Sequence, residues 1–215
     1  MKKLLIVANW KSNKTQKEVE EYFLNFPNTI QENTIAVICP PFLYLSICKQ
    51  LITEKQLSIS IGGQDVSAFS SGAHTGEVNT GQLKEFADFV IIGHSERRKN
   101  GESEEILKQK VEEANKNDLK VIYCISDLSQ EVPNGVYAVA YEPLFAIGSG
   151  NPDTPENAQK VAKKIKEKIN VEHILYGGSV TSKNVGSFIA VDDINGVLVG
   201  GASLDPLEFS KILNS

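Results

Sequence analysis

Two stretches near the end of the chain share one plan: HILYGGS at residues 173–179 and NGVLVGG at residues 195–201. Each contains a short apolar run that is followed by two consecutive glycines. Short Val/Ile/Leu runs are typical of parallel strands that are buried on both faces, and glycine allows the backbone to turn sharply where such a strand ends. The repeated plan predicts two strands with glycine turns at their carboxyl ends.

Six further apolar runs precede these two, and amphipathic segments separate them. The eight predicted strands are Leu4–Ala8, Ile35–Cys39, Ser58–Gly62, Phe89–Ile92, Lys120–Ile125, Val136–Ala140, His173–Tyr176 and Asn195–Val199. Helix signals lie between them: a capping box at Thr15–Glu18, an apolar stripe within Glu102–Asn115, and capping residues before proline at Thr154 and Asp205. Strand–helix alternation predicts a parallel sheet. Eight strands favour a closed (β/α)8 barrel over an open doubly wound sheet, although periodicity alone does not decide between them.

One connection is unusually short. Ser126 to Asn134 offers nine residues between the fifth and sixth predicted strands, and both Pro133 and Gly135 disfavour a helix there. Barrels of this kind typically take ~250 residues, which exceeds the 215 of this chain. Nine extended residues still reach about 30 Å, which is longer than the ~17–20 Å of a typical strand. We therefore predict that the helix between strands five and six is missing or reduced.

Length and composition restrict the class of protein. The chain has 215 residues, is 41% hydrophobic and has no linker-like stretch, so a single domain over residues 1–215 is expected. A net charge of −5 disfavours nucleic acid as a partner. The N-terminal apolar run stops at Ala8, and no run approaches the ~20 residues of a membrane span, so we expect a cytoplasmic protein without membrane partners. Cys39, Cys48 and Cys124 lack metal-ligand spacing and are interpreted as buried apolar residues.

The carboxyl ends of the predicted strands hold a small set of reactive side chains. Catalytic groups of parallel barrels lie at these ends, and here they are Asn9 and Lys11 after strand one, His94 after strand four and Glu142 after strand six. Backbone N–H groups in glycine turns and at helix starts bind phosphate, and helices are expected behind the two glycine turns from Thr181 and from Asp205 onward. Two such turns on consecutive strands favour a phosphate site over simple chain reversal. The combination suits acid–base chemistry on a small phosphorylated molecule.

Each reactive residue also has a simpler interpretation. A solvated acid at a strand end is common, but Pro143–Gly150, which follows Glu142, has the composition of a mobile lid that excludes water, and this favours a catalytic base. His94 could be a core histidine. A short helical turn capped by Ser95 would instead disfavour the imidazolium, so that a neutral His94 donates a hydrogen bond to a carbonyl oxygen. Lys11 can neutralise a phosphate or an oxyanion, although an isolated strand-end lysine is usually a surface residue.

Six motifs resemble those of the triosephosphate isomerase family in order and spacing, over essentially the whole chain. They are Asn9-Trp10-Lys11, Ile92-Gly93-His94-Ser95-Glu96-Arg97-Arg98, Ala140-Tyr141-Glu142-Pro143, Ala146-Ile147-Gly148-Ser149-Gly150, Leu175-Tyr176-Gly177-Gly178-Ser179-Val180 and Leu198-Val199-Gly200-Gly201-Ala202-Ser203-Leu204. The resemblance implies a TIM barrel. It also implies an isomerase that interconverts dihydroxyacetone phosphate and D-glyceraldehyde 3-phosphate through an enediol(ate), in glycolysis and gluconeogenesis, with no cofactor and no metal.

The resemblance also implies individual roles. Glu142 would carry the proton between the two carbons, His94 would polarise the carbonyl as a neutral electrophile, and Asn9 and Lys11 would lie beside the substrate oxygens. The phosphate would be bound by backbone N–H groups of Gly148, Ser179, Gly200 and Gly201. The segment Ser67–Val78 resembles a loop that enters the neighbouring subunit, so a homodimer is implied.

Two other functions stay open at this point. The chain could be another phosphate-binding barrel isomerase, or a catalytically degenerate barrel that is retained as a binding protein. The first would not need the Asn-Trp-Lys, Gly-His-Ser-Glu and Tyr-Glu-Pro motifs together, and the second is disfavoured because Glu142, His94 and Lys11 are all present. Phe145 departs from the tryptophan that is usual at the first hinge of the lid, and this difference bears on lid motion and not on the reaction.

Overall fold

Eight parallel strands form a closed barrel, each paired with the next in chain order and the last paired with the first. The computed structural model describes residues 2–215. The strands are β1 (Leu4–Asn9), β2 (Thr34–Cys39), β3 (Ile59–Gly63), β4 (Phe89–Ile92), β5 (Lys120–Ile125), β6 (Ala138–Tyr141), β7 (His173–Tyr176) and β8 (Gly196–Val199). Every strand begins and ends within two residues of its predicted bounds. The prediction of a closed barrel is confirmed.

Helices occupy six of the seven connections between strands, and one more helix follows β8. They are α1 (Gln16–Leu24), α2 (Leu45–Glu54), α3 (Thr80–Lys84), α4 (Ser95–Lys99), α5 (Glu104–Lys116), α6 (Pro155–Lys168), α7 (Val185–Ile189) and α8 (Pro206–Leu213), with 3-10 helices at Phe42–Tyr44 and Gly201–Leu204. The predicted caps are present, since Thr15 forms a capping box with Glu18, and Thr154 and Asp205 cap the two helices that begin with proline. Within residues 2–215, none of these helices has the length and apolarity to cross a membrane.

The core has an inner and an outer layer because successive side chains of a strand point to opposite faces. Leu5 and Val7 of β1 belong to the cluster inside the barrel, whereas Leu4 and Ile6 pack outward against the helices. All three cysteines are buried free thiols, as predicted. Gly196 lies where β8 pairs with β1 to close the barrel. Its φ is +156°, and a Cβ there would lie 1.8 Å from the Leu5 carbonyl oxygen, so a larger residue would not fit.

Residues 126–137, which we call the strap, connect β5 to β6 without any helix. The Ser126 N–H donates to Gln130 Oε1 at 2.5 Å, and the Asp127 carboxylate accepts from the Ser129 N–H at 2.8 Å. These turn contacts take the place of helical hydrogen bonds. The prediction of a missing helix is therefore confirmed. Leu128, Val132 and Val136 of the strap pack on the outer layer of the core, together with Ile165 of α6.

Candidate active site

All eight residues singled out from the sequence line one cavity of about 320 Å³ at the carboxyl ends of the strands. They are Asn9, Lys11, His94, Glu142, Gly148, Ser179, Gly200 and Gly201. Residues up to 192 positions apart in the chain meet there because all parallel strands end on the same side of the barrel. Ile147 and Leu198, two apolar residues, line the same cavity.

His94 and Glu142 form the centre of this cavity. His94 Nε2 lies 3.2 Å from Glu142 Oε1, and the two residues are only 4% and 3% exposed. His94 Nδ1 accepts a hydrogen bond from the Glu96 backbone N–H at 3.2 Å. Because a backbone N–H can only donate, Nδ1 carries no proton and the proton of the ring is on Nε2. The ring is therefore a neutral donor that points at the carboxylate.

The position of His94 corrects one detail of the sequence interpretation. His94 itself is the N-cap of α4, and Ser95, which was expected to be the cap, is the first residue of the helix. The imidazole nitrogen thus takes the place of a serine oxygen as the acceptor for one of the free N–H groups of the first turn, that of Glu96. The predicted proximity of the ring to a helix N-terminus holds, and the cap hydrogen bond selects the tautomer.

Glu142 is held by the backbone and not by ion pairs. Its N–H donates to the Ile125 carbonyl oxygen at 2.8 Å, which ties the end of β6 to β5. Its Oε2 atom is buried and has no hydrogen-bond partner within the described residues 2–215. Gly177 leaves room for the side chain, since a Cβ at Gly177 would lie 2.7 Å from Glu142 Cγ. One carboxylate oxygen is therefore available to take a proton.

Cys124 lies beside this carboxylate. Burial, followed by the neighbouring charge of Glu142, raises the pKa of the Cys124 thiol well above its usual value. A neutral thiol is a poor nucleophile, so Cys124 is a packing residue, which agrees with its interpretation from the sequence.

Lys11 adopts an unusual backbone conformation at the mouth of the cavity. Its φ is +53°, and its N–H is bound by Asn9 Oδ1 at 3.0 Å while its carbonyl oxygen accepts from Gln64 Nε2 at 2.9 Å. Its Nζ lies 2.7 Å from Glu96 Oε1. Burial opposes ionisation of Glu96, but the hydrogen bond and charge of Lys11 hold the pKa of that carboxyl below its usual value. Sequence reasoning assigned no role to Gln64, because its contacts depend on the fold.

The glycine turns after β7 and β8 surround the other end of the cavity. Ser179 has a φ of +47°, and Gly200 and Gly201 lie opposite it. Of the two helix starts expected behind these turns, the one near Thr181 is wrong, because α7 begins at Val185. The one at Asp205 is confirmed, because Asp205 caps α8, and the 3-10 helix Gly201–Leu204 lies between the second turn and this helix. The donors around this end are N–H groups and the Lys11 ammonium, a set that suits an anion.

The predicted lid, Pro143–Gly150, is bound to the end of β7. The Ser179 hydroxyl donates to the Ala146 carbonyl oxygen at 2.5 Å and accepts from the Gly150 N–H at 3.2 Å. The Tyr176 hydroxyl accepts from the Asp153 N–H at 2.7 Å, and burial raises the pKa of Tyr176 to about 12, so this hydroxyl stays neutral. The sequence does not predict the hydrogen bond between Tyr176 and Asp153, because in the sequence Tyr176 is only one more apolar residue of a strand.

The fold and the site define a (β/α)8-barrel protein whose cavity holds a buried histidine–glutamate pair at its centre, with two glycine turns and a lysine around it. Sequence comparison narrows this class. A sequence model of the family described as "Triosephosphate isomerase" matches residues 4–215, and the chain belongs to this family.

Three relatives named triosephosphate isomerase illustrate the similarity. The protein of Mesomycoplasma hyopneumoniae (strain 7448) is 38% identical, with 98% of each chain covered. The protein of Aquifex aeolicus is 36% identical, also with 98% of each chain covered. The protein of Thermodesulfovibrio yellowstonii is 39% identical, with 99% of each chain covered.

The first of these alignments also bears on the strap. It has 241 positions, of which this chain fills about 211, that is 98% of its 215 residues. About 30 positions, 241 minus 211, therefore have no counterpart in this chain. A crossover between parallel strands takes a dozen or more residues, so a difference of this size is large enough to include the helix that the strap lacks.

Proposed function

We propose that this chain is an isomerase that interconverts dihydroxyacetone phosphate and D-glyceraldehyde 3-phosphate by proton transfer through an enediolate. The observation that carries the proposal is the pair formed by a neutral His94 donor and the buried Glu142 carboxylate, 3.2 Å apart in a cavity with an anion-binding end. The name shared by the relatives supports the same reaction.

The phosphate group binds at the end of the cavity that is formed by the lid and the glycine turns. Its oxygens accept hydrogen bonds from backbone N–H groups of Gly148, Ser179, Gly200 and Gly201. The Lys11 ammonium and the Asn9 amide face the substrate oxygens, and the salt bridge between Lys11 and Glu96 weakens as the substrate anion competes for the ammonium. This placement directs the three-carbon end of the substrate toward His94 and Glu142.

Proton transfer then uses the two central side chains. The substrate carbonyl oxygen takes the place of Glu142 as the acceptor for His94 Nε2–H, which stabilises the negative charge that develops on that oxygen. Glu142 removes a proton from the hydroxyl-bearing carbon next to the carbonyl and returns it to the former carbonyl carbon. His94 Nε2 gives its proton to the former carbonyl oxygen and takes up the proton of the hydroxyl group, so that ketose becomes aldose without net gain or loss of protons. Ile147 and Leu198 exclude water from the carboxylate during this step.

We also propose that the chain forms a cytoplasmic homodimer through Ser67–Val78. Residues 69–77 of this loop are exposed, and its base is closed by a hydrogen bond from the Ser67 N–H to the Val78 carbonyl oxygen at 2.8 Å. The Phe69 ring, about half exposed, stacks on the His74 ring with centroids 4.3 Å apart. A second cavity of about 320 Å³ opens beside the active site between Lys11, Gln64 and Arg97. We propose that the loop of a second copy enters this space.

The test is a coupled assay of the purified chain in both directions. Glu142→Gln keeps the shape of the side chain but cannot accept the proton, so kcat should fall by at least ~10²–10⁴-fold with KM largely kept. Glu167→Gln, on the exposed face of α6, is the control and should behave as the wild type. Turnover of Glu142→Gln within a few-fold of wild type would refute the assignment of the base. A wild type that is inactive on both trioses would refute the reaction.

A further inference from the structure

Arg98 is a half-buried arginine of α4 whose guanidinium reaches two backbone carbonyl groups behind the active site. Its Nε–H donates to the Gly93 carbonyl oxygen at 2.8 Å, and its Nη2–H donates to the Cys124 carbonyl oxygen at 3.2 Å. Gly93 ends the turn after β4, and Cys124 lies at the end of β5. One planar group therefore bridges the ends of two strands.

Each of these carbonyl groups is close in the chain to a residue of the acid–base pair. Gly93 directly precedes His94 and has a φ of +75°, so the hydrogen bond on its carbonyl oxygen fixes the peptide that leads into the imidazole. Cys124 precedes Ile125, whose carbonyl oxygen accepts the Glu142 N–H at 2.8 Å. The guanidinium is thus connected to His94 on one side and to Glu142 on the other.

The remaining N–H groups of Arg98 bind side chains that hold the guanidinium in place. Nη2 also donates to the Tyr123 hydroxyl at 3.0 Å, and Nη1 donates to the Glu104 carboxylate. The Tyr123 hydroxyl donates in turn to Glu104 at 3.2 Å. The Arg98 side chain is only 12% exposed. A lysine could not make these contacts together, because its single ammonium lacks the planar fork of donors.

We propose that Arg98 is a positioning residue for the acid–base pair, which sets the distance between His94 Nε2 and Glu142 by holding the Gly93 and Cys124 carbonyl groups. The role rests on the function proposed above. Arg98 does not line the cavity, so it acts through the two backbone segments and not on the substrate. The phosphate end of the site is built by the lid, β7 and β8, to which Arg98 makes no hydrogen bond among the described residues.

The first measurement separates turnover from binding. Arg98→Ala should lower kcat by about 10–100-fold, since a displacement of about 1 Å in a reacting pair has effects of this size. Inhibition by inorganic phosphate should stay within about threefold of wild type, because its binding groups are untouched. Guanidinium ion at millimolar concentration should restore part of kcat in Arg98→Ala with saturation. Lys99→Ala, an exposed neighbour on the same helix, should show neither the loss nor the rescue.

The second measurement does not depend on activity. The Nε2–H proton of His94 should give a protected imidazole NMR signal in the wild type and in Lys99→Ala, and this signal should be lost or shifted in Arg98→Ala. An inactive wild type would refute the proposed reaction, while the imidazole signal would still decide the role of Arg98. If circular dichroism shows that Arg98→Ala is unfolded, the same kinetic and NMR measurements are made on Arg98→Lys. This variant keeps the positive charge but lacks the planar set of N–H donors. Wild-type kcat and an unchanged imidazole signal in the folded variant would overturn the proposal.

Discussion

Gly177 has no side chain at the point where the candidate base needs the space. Its φ lies outside the left-handed region, and the conflict of any larger residue is with Glu142 Cγ, 2.7 Å from a Cβ built at this position. Proteins avoid such overlaps by displacing one partner, at a cost that depends on how far it can move. At Gly177 the partner is a buried carboxylate whose position matters for the reaction.

Gly177→Ala should therefore lower kcat by about 10–100-fold through displacement of Glu142, with KM changed much less. Gly186→Ala is the matched control, because nothing lies within 4 Å of a Cβ at Gly186 in α7. The control should keep wild-type kinetics and gain about 0.5–1 kcal/mol in unfolding free energy from its helical position. Steady-state kinetics and urea unfolding of both variants check this prediction. Wild-type kcat in Gly177→Ala would show that the carboxylate tolerates the shift.

Strained residues also mark the site at this scale. Lys11 and Ser179 both have positive φ values although neither is glycine, and such conformations cost of order 1–3 kcal/mol each. The hydrogen bonds of Lys11 to Asn9 and Gln64 stabilise its conformation, and the Ser179 hydroxyl is bound to the lid. Both residues line the cavity, so the unusual backbone conformations occur at positions where the proposed site needs the Lys11 ammonium and the Ser179 backbone.

At the scale of elements, β7 begins with a buried histidine far from the active site. His173 Nε2 lies 3.0 Å from the Tyr137 hydroxyl and 3.3 Å from Glu172, and its Nδ1 is buried without a partner in residues 2–215. Burial lowers the pKa of His173, with a further contribution from Lys3 and Lys120, although Glu172 opposes the shift. The imidazole is therefore harder to protonate in the folded than in the unfolded chain.

Stability should then depend on pH through His173. Because its folded pKa lies below the unfolded value of about 6.5, the unfolded chain takes up the proton first as pH falls. The contribution to stability is full above pH ~6.5 and decreases below it by up to about 1.4 kcal/mol per pH unit until the folded pKa is reached. Urea unfolding of wild type and His173→Gln at pH 7.5 and 5.5 measures this. The variant should lose less stability on acidification, and equal losses would contradict the assignment.

Strands and caps could be predicted because they depend on neighbours in the chain. The bounds of β4, β5 and β7 follow from apolar runs alone, and Thr15 and Glu18 carry their capping box in four residues. The sequence favours Ser95 as the cap of α4 because serine is the commoner cap, whereas the structure has His94 at this position, and the same residue lines the cavity. Contacts such as Gly177 with Glu142, or Gln64 with Lys11, join residues dozens of positions apart and have no local signal.

For the whole molecule, assembly depends on the loop Ser67–Val78. Thr75→Glu places a carboxylate in an exposed loop that we propose enters the second cavity of a partner. In that cavity Lys11 is already paired with Glu96, and Arg97 with Asp65. Among the described residues that line it, a further carboxylate meets like charges without a free cation, which opposes association, so sedimentation should detect monomers and activity should fall by about tenfold or more. Gln16→Glu adds the same charge on exposed α1 and should leave both unchanged. A fully active dimer of Thr75→Glu would contradict the interface.

The strap covers the outer face of β5 and β6, where the other connections of the barrel place a helix. Leu128 and Val132 pack on the outer core, and Lys168 Nζ donates to the Leu128 carbonyl oxygen at 3.0 Å. A cavity of about 400 Å³ nevertheless lies between the strap and α6, lined by Ile125 and Ile165 among others. The cover is thus thin, and each apolar side chain of the strap excludes water from a large share of the surface beneath it.

Leu128→Ala should lower the unfolding free energy by about 1–2 kcal/mol, less than the 2–5 kcal/mol typical of a fully buried leucine, because Leu128 is half-buried. Leu207→Ala on α8 removes a leucine that is 55% exposed, and this control should cost no more than about 0.5 kcal/mol. Both variants should keep wild-type kcat and KM, since neither residue lines the active-site cavity and the ladder between β5 and β6 holds Glu142 in place. Urea unfolding and steady-state kinetics measure the two effects separately.

Equal stability losses in the two variants would mean that the strap does not seal the core. A fall in kcat for Leu128→Ala alone would mean that the strap, and not the strand ladder, holds the catalytic carboxylate.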